Sequence, residues 1–262
     1  MTGREPGRVQ SVVKAMELLN CLAQAGGPLS LGELSRRTGI PKATAHGLLA
    51  AMRPSSVVEQ SGEDGRYRLG TRLFEYGCAV SSGWNVLEAA AEPMRRAAEE
   101  TGETVNLAAL DRDGVLILDS AVAHGNYRVA SQRGARLPLH CTSQGKLLLA
   151  YLPPQRRRAL LRTCRFEDYT PHSHRSAEAL EEDLAQIRER GFALENGEFR
   201  IGLRSVSAPV FDVEGQAAYA LCAVGMFRRM DAPELERATH LVRDAARRIS
   251  FDLGYRGGLS HA

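Results

Sequence analysis

Apolar residues recur along this chain in two rhythms, and the change of rhythm divides it. Across residues 9–22, Val9, Val12, Val13, Met16, Leu19 and Leu22 fall three or four apart, the period of one helix face, until Gly26-Gly27-Pro28 stops it. Ser30 followed three residues later by Glu33 is a capping-box pattern. It predicts a second helix with Leu31 and Leu34 turned inward, ended by Gly39. Pro41 starts a third helix over about 42–53, which Pro54 closes. The rhythm then becomes extended. Residues 57–60 and 66–69 read as two strand arms joined through Asp64-Gly65, a hairpin turn pair. A helix over 71–82, closed by Gly83, links this unit to the rest.

Beyond it the pattern alternates. An amphipathic helix over 85–101 carries Val86, Leu87, Ala90, Met94 and Ala97 on one side. Strands are predicted at 104–110 and 115–120, around the turn Asp111-Arg112-Asp113-Gly114, and near 127–131. Thr142 opens a helix through Leu152, Pro153-Pro154 breaks it, and a basic helix runs to Arg162. Ser176 caps a helix bearing Leu180, Leu184 and Ile187, ended by Gly191. Strands follow near 192–195, 205–213 and 216–224. A long helix over 231–253 turns Leu235, Ala238, Leu241, Val242, Ala245 and Ile249 inward. The expectation is an α+β chain: a helical unit with a hairpin at 1–70, a linker helix at 71–83, a larger domain at 84–256 and a tail at 257–262.

Composition narrows the class. The 262 residues are 44% hydrophobic and 25% charged, ordinary for folded domains. The first eight residues lack the apolar core of a secretory signal, and no apolar run approaches the roughly 18 residues that span a bilayer. Five scattered cysteines without a Cys-x-x-Cys pair suit a reducing cytoplasm better than a disulfide framework or a structural zinc. Residues 1–70 hold nine Lys/Arg against six Asp/Glu, whereas the remainder balances. The whole positive excess sits beside the helical unit, a modest footprint for a polyanion.

Within that unit, residues 31–50 read LGELSRRTGIPKATAHGLLA. A helix-turn-helix needs a left-handed residue at its ninth position, where Gly39 stands, and a small one at its fifth, where Ser35 stands. Leu34, Ile40, Ala45 and Leu48 supply the apolar positions that bury its helices. The second helix then faces outward with Lys42, Ala43, Thr44, His46 and Gly47, the arrangement of a helix lying in a major groove. Arg36 and Arg37 can neutralise phosphate, and Arg66 and Arg68, two apart on a strand, share a face that suits a wing on the DNA backbone.

Other chemistries are weaker. Gln144-Gly145-Lys146 lacks the Ser or Thr and the earlier glycine of a phosphate-binding loop. His140 and Cys141, adjacent on a strand, would point to opposite faces and form no nucleophile pair. His172-Ser173-His174 could meet Cys141 or Cys222 around a metal, but a solvated loop is the simpler reading. No catalytic residue, metal or cofactor is expected.

Ordered segments resemble the IclR family of bacterial regulators: Ser11…Lys14-Ala15-Met16…Leu19, residues 33–44, Arg66-Tyr67-Arg68-Leu69-Gly70, residues 136–146 and residues 198–210. The resemblance covers about 9–254. It implies a winged helix-turn-helix followed by a GAF-like effector domain, a curved antiparallel sheet flanked by helices. It also implies a homodimer or homotetramer on a palindromic double-stranded operator, with affinity modulated by a small-molecule effector. Effector-contacting positions of the family fall here on Asn126, Val129, Leu137, Ser143, Gln144, Glu195, Leu203, Ser205, Cys222 and Val224. Two departures stand out. Gly47 replaces the usual arginine after the recognition-helix histidine, and Arg53-Pro54-Ser55-Ser56 replaces a glycine-rich turn before the wing. Thr142-Ser143-Gln144-Gly145 offers free amide groups at a helix start, which favour a carboxylate. Glu195 opposes one unless protonated or turned away, and Val224 is apolar where some relatives carry a hydroxyl. These residues point to an effector with a donor group, or to a more apolar organic or aromatic acid.

Overall fold

The computed structural model describes residues 9–81, 85–123, 129, 132–228 and 230–257, and it divides into two compact units, Met1–Trp84 and Asn85–Ala262. The first contains α1 (Gln10–Gln24), α2 (Leu31–Thr38), α3 (Lys42–Met52), the hairpin β1 (Val58–Gln60) and β2 (Tyr67–Leu69), and α4 (Arg72–Ser81). Its core gathers Leu18, Leu22, Leu29, Leu34, Ile40, Ala45, Leu49, Val58 and Tyr67. Leu29 exchanges both backbone hydrogen bonds with Tyr67, at 2.9 and 2.7 Å, so the wing is tied to the segment that precedes α2.

Two details differ from the sequence pattern. The stripe on α1 is wider than the surface that α2 and α3 cover. Leu18 fills the core, while Val9, Val12 and Met16 are 63%, 59% and 53% exposed. On α3 the buried position is Leu49, and Leu48 beside it is only half-buried. A one-residue step on a helix turns a side chain by about 100°, which the period alone does not resolve.

The second unit is built on one antiparallel sheet of order β5-β4-β3-β8-β7-β6. Its strands are β3 (Thr104–Asp111), β4 (Gly114–Ala121), β5 (Arg136–Leu137), β6 (Ala193–Asn196), β7 (Leu203–Phe211) and β8 (Ala217–Met226). Around it lie α5 (Asn85–Thr101), α6 (Ser143–Tyr151), α7 (Pro154–Thr163), α8 (Ala177–Arg190) and α9 (Ala232–Asp252). Alternation along the strands separates two faces. Ala108, Val115, Ile117, Ala193 and Ala220 pack with Leu147, Leu149, Leu180, Leu184 and Ile187 of α6 and α8. The alternate residues Val105, Leu107, Val206, Val210 and Leu221 are equally buried, on the face that α5 and α9 cover.

The strand expected near 127–131 lies outside the described residues apart from Val129. The strand added to β4 is β5, where Leu137 pairs with Val115. On α9 the buried residues are Ala238, Thr239, Val242, Ala246, Ile249 and Ser250, with Leu235, Leu241 and Ala245 at the margin of the contact. Residues 143–150 are buried all round, so α6 runs through the core as a central strut. It can do so because Gly145 lies against the backbone of Leu139, where a Cβ would stand 2.4 Å from the carbonyl oxygen.

Candidate nucleic-acid interface and effector site

The turn between α2 and α3 is fixed by local bonds. Ser30 caps α2 in a complete capping box: its amide donates to Glu33 Oε2 at 2.8 Å, and its hydroxyl accepts from the Glu33 amide at 3.3 Å. These bonds, with Arg66 and Arg36 nearby, hold the Glu33 carboxyl below its ordinary pKa. Gly39 ends α2 in the left-handed conformation at φ 71°, and Ser35 Oγ donates to the Ile40 carbonyl at 2.7 Å across the turn. Pro41 then starts α3 with its carbonyl accepting from Ala45 at 2.9 Å.

The result is a helix whose Lys42, Ala43, Thr44, His46 and Gly47 are all exposed, while Ala45 and Leu49 anchor it beneath. Gly47 has open space around it. Arg36 and Arg37 are exposed in the last turn of α2, and Arg37 also lines a cleft against Glu17 and Gln24 of α1. The wing arginines are engaged internally. Arg66 donates to the Pro28 carbonyl at 3.1 Å and to Glu33 Oε2 at 3.2 Å, tying the wing to the capping box of α2. Arg68 pairs with Glu59 directly across the hairpin at 2.8 Å. The turn that lacks glycine closes because Ser56 itself adopts φ 55°. Gly70 must be glycine there, since a Cβ would stand 2.1 Å from the Ser56 carbonyl oxygen.

In the second unit, Thr142 caps α6 by accepting from the Gly145 amide at 3.1 Å. This presents Ser143 to the sheet. Its Oγ lies 2.7 Å from both Ser205 Oγ and Ser207 Oγ, 3.5 Å from Cys222 Sγ and 3.4 Å from Gln144 Oε1. Ser205 in turn donates to Glu195 Oε2 at 3.1 Å, and Glu195 Oε1 accepts from the amides of Glu198 and Phe199. Ser143, Gln144, Glu195, Ser205, Ser207 and Cys222 are all buried. Burial lifts the Glu195 carboxyl to about 7 despite those amide donors, and it lifts the Cys222 thiol to about 11. Register explains the convergence: Ser205 pairs with Val224 and Ser207 with Cys222 on neighbouring strands. Leu203 and Val224 extend the same face as a half-buried apolar rim. The Val129 carbonyl accepts from Thr104, the cross-strand partner of Val224, which brings Val129 to that rim. Leu137, on the edge strand at the other end of the sheet, packs with the α6 core and does not join the cluster. Asn126 lies outside the described residues.

Sequence reasoning missed Ser207, although its spacing two residues from Ser205 marks a shared strand face. It also missed the role of Lys146. That side chain is 2% exposed, and its Nζ lies 2.8 Å from Asp183 and 2.6 Å from Glu198. His174 Nε2 stands 3.4 Å from Asp183. Burial alone would raise the Asp183 pKa, yet His174, Lys146 and Arg190 together hold it well below the usual carboxylate range. His174, Asp183 and Glu198 bring possible metal-ligand atoms within 4.8 Å, but the Lys146 ammonium already bonds both carboxylates there. The loop 172–174 is solvated only in part: His172 is exposed and His174 half-buried, while Ser173 is buried and donates to the Glu198 carbonyl at 2.7 Å. Residues 140–141 are not a strand either. His140 Nε2 lies 3.0 Å from the Glu167 carbonyl, and burial pushes the Cys141 thiol up to about 12, so no nucleophile pair forms.

Residues 11–62 match the IclR helix-turn-helix domain, and residues 78–251 match the C-terminal domain of bacterial IclR transcriptional regulators. The chain belongs to the IclR family. It is 34% identical over 252 residues to the HTH-type transcriptional regulator BhcR of Paracoccus denitrificans, covering 96% of this chain and 90% of that one. It is 31% identical to the transcriptional repressor IclR of Escherichia coli, covering 97% and 93%. Among solved structures, an IclR homolog from Microbacterium hydrocarbonoxydans complexed with 4-hydroxybenzoate superposes with a TM-score of 0.82 at 27% identity, covering 93% of this chain and 98% of that one. This IclR-family chain is thus a DNA-binding transcriptional regulator, in a family of regulators rather than enzymes. The winged helix-turn-helix and the antiparallel-sheet effector domain expected from its sequence are the architecture observed. Among the described residues, no helix is long and apolar enough to cross a membrane.

Proposed function

We propose that this regulator binds a palindromic operator through the exposed face of α3 and releases or regrips it when a small organic or aromatic acid enters the serine cluster at the start of α6. Lys42, Thr44 and His46 would meet base edges and phosphates. Arg36, Arg37 and the wing arginines Arg66 and Arg68 would add phosphate contacts. Ser143, Gln144, Ser205, Cys222 and Glu195 would hold the effector's polar end, with Leu203, Val224 and Val129 against its apolar part. The bond from Ser143 to Ser205 and Ser207 carries this reading. It is a polar knot buried in the core that a ligand can replace only by remaking its hydrogen bonds. The relative solved with 4-hydroxybenzoate supports an acid of that kind. The protein acts in the cytoplasm as a dimer or tetramer. Val12 and Met16 of α1 and Phe74 of α4, 59%, 53% and 75% exposed, support self-association.

Fluorescence anisotropy with the DNA upstream of its own gene tests the proposal. Binding should weaken steeply with salt and shift on addition of the right acid, and Ser205→Ala should blunt that shift without changing acid-free affinity. Absence of binding at low ionic strength would refute the DNA reading. An acid response unchanged in Ser205→Ala would refute the effector site.

A further inference from the structure

Along β7, the pairing with β6 stops at Ser207, which pairs with Ala193, the first residue of β6. From Ala208 onward the strand has a bare edge. Pro209 removes one backbone donor from it, and the Phe211 amide donates to Ser250 Oγ of α9 at 2.9 Å, so the edge is protected from pairing with another strand. A cavity of about 260 Å³ opens beside it.

Its floor is aromatic. The Phe211 ring stacks on Tyr255 with centroids 4.9 Å apart, and Tyr151 meets Phe211 edge-on at 5.7 Å. Its rim is cationic. Arg243 and Arg247 of α9 line the opening one helical turn apart. Arg247 pairs with exposed Asp244 at 3.2 Å. Arg243 makes no ion pair among the described residues; its guanidinium lies 5.8 Å from the Phe192 ring centroid. It is close enough to the Tyr151 phenol for its charge to offset part of the burial that raises that group's pKa. A half-buried guanidinium without a carboxylate, lining the same cleft as a stack of rings, has the two halves of an arene carboxylate's recognition. The small volume admits a single ring and little more.

We propose that this cleft binds a small aromatic monocarboxylate, the ring packed against the Phe211–Tyr255 stack and the carboxylate facing Arg243. It is a different place from the serine cluster. Tyr151 and Ser143 are eight residues apart on α6, about 12 Å along its axis, and the cleft begins where the polar pairs of β7 end. Binding in this cleft does not depend on whether the serine cluster takes an effector.

The test uses 4-fluorobenzoate, followed by fluorine NMR as it is titrated into the full chain, with uncharged fluorobenzene as control. The expected result is saturable binding of 4-fluorobenzoate that is about tenfold weaker in Arg243→Gln. Phe211→Leu, which keeps the charge and removes the platform, should weaken it severalfold. Filling the serine cluster with Ser205→Leu should leave this binding component in place, with Ser205→Ala as the milder check if that variant melts early. Titration of Arg243→Gln indistinguishable from the parent would overturn the proposal. So would equal binding of fluorobenzene, or loss of all binding in Ser205→Ala.

Discussion

On α3, Lys42, Thr44 and His46 stand in solvent, without a side-chain hydrogen bond among the described residues. On α6, Ser143 and Gln144 are buried and bonded to one another or to the sheet. Both helices begin just after a fixed turn, and both present polar residues in their first two turns. The difference lies in what each must do before it can bind. Under the proposed function, the α3 face would lose only loosely held water and ions to a duplex. The α6 face would have to surrender internal bonds, so a ligand there would change the packing of strands and helices that those bonds join. An exposed face gives contact; a buried polar knot gives coupling.

Substitutions can break or sharpen that contrast. Lys146→Met removes the buried ammonium shared by Asp183 and Glu198 and leaves those carboxylates only the more distant His174 and Arg190. Breaking a buried ion pair on one side costs about 3–5 kcal/mol, so urea unfolding of the effector unit should move to much lower midpoint. Gly145→Ala forces a Cβ onto the Leu139 carbonyl at the start of the same helix and should cost about 2–3 kcal/mol by the same measurement.

The pH response of the knot comes next. The folded Glu195 carboxyl titrates near 7 against an ordinary 4.5. Between those values the folded state keeps a proton that the unfolded chain has released, so this group's contribution to stability falls as pH rises through the window. Glu195→Gln should flatten that slope, seen as urea midpoints that no longer differ between the ends of the window. Asp183 has the opposite sign: its depressed pKa stabilises the fold above 3.8, and this is lost on acidification.

The exposed face should respond in affinity and not in stability. Lys42→Gln should weaken operator binding about three- to tenfold and reduce the salt slope by about one, with the melting temperature unchanged. A fall in melting temperature would show that Lys42 holds the fold together. The smallest effect belongs to Gly47. Its helical position has room for a side chain, so Gly47→Ala should stabilise the helix by about 1 kcal/mol, read as a small rise in the melting temperature.

Much of the DNA-binding unit was legible in order along the chain. Ser30 with Glu33, Gly39 and Pro41 each act within a span of five residues, and each appears in the structure in its expected role, whereas Asp64-Gly65 closes the hairpin as part of a longer loop over 61–66 and not as a two-residue turn. The effector unit was legible as elements but not as a site. Glu195, Ser205 and Cys222 entered only by family resemblance, Ser207 did not enter at all, and Leu137 turned out to belong to a distant strand. The wing arginines show the same limit. Their spacing was readable, yet their pairing with Glu33 and Glu59 depends on how the hairpin lies against α2.

Caps, turns and the left-handed glycine are written in neighbouring residues, because a backbone hydrogen bond or a steric clash acts over a few ångströms and so over a few positions. The sequence alone therefore determined the helices, the hairpin and the exposed face of α3. Only the tertiary structure decided that Ser143 meets residues 62 and 64 positions away, that Lys146 bridges Asp183 and Glu198, and that Arg243 overlooks a ring-floored cleft. Those meetings are set by strand register and helix placement, where a shift of one residue would send a strand side chain to the opposite face and turn a helix side chain by about 100°.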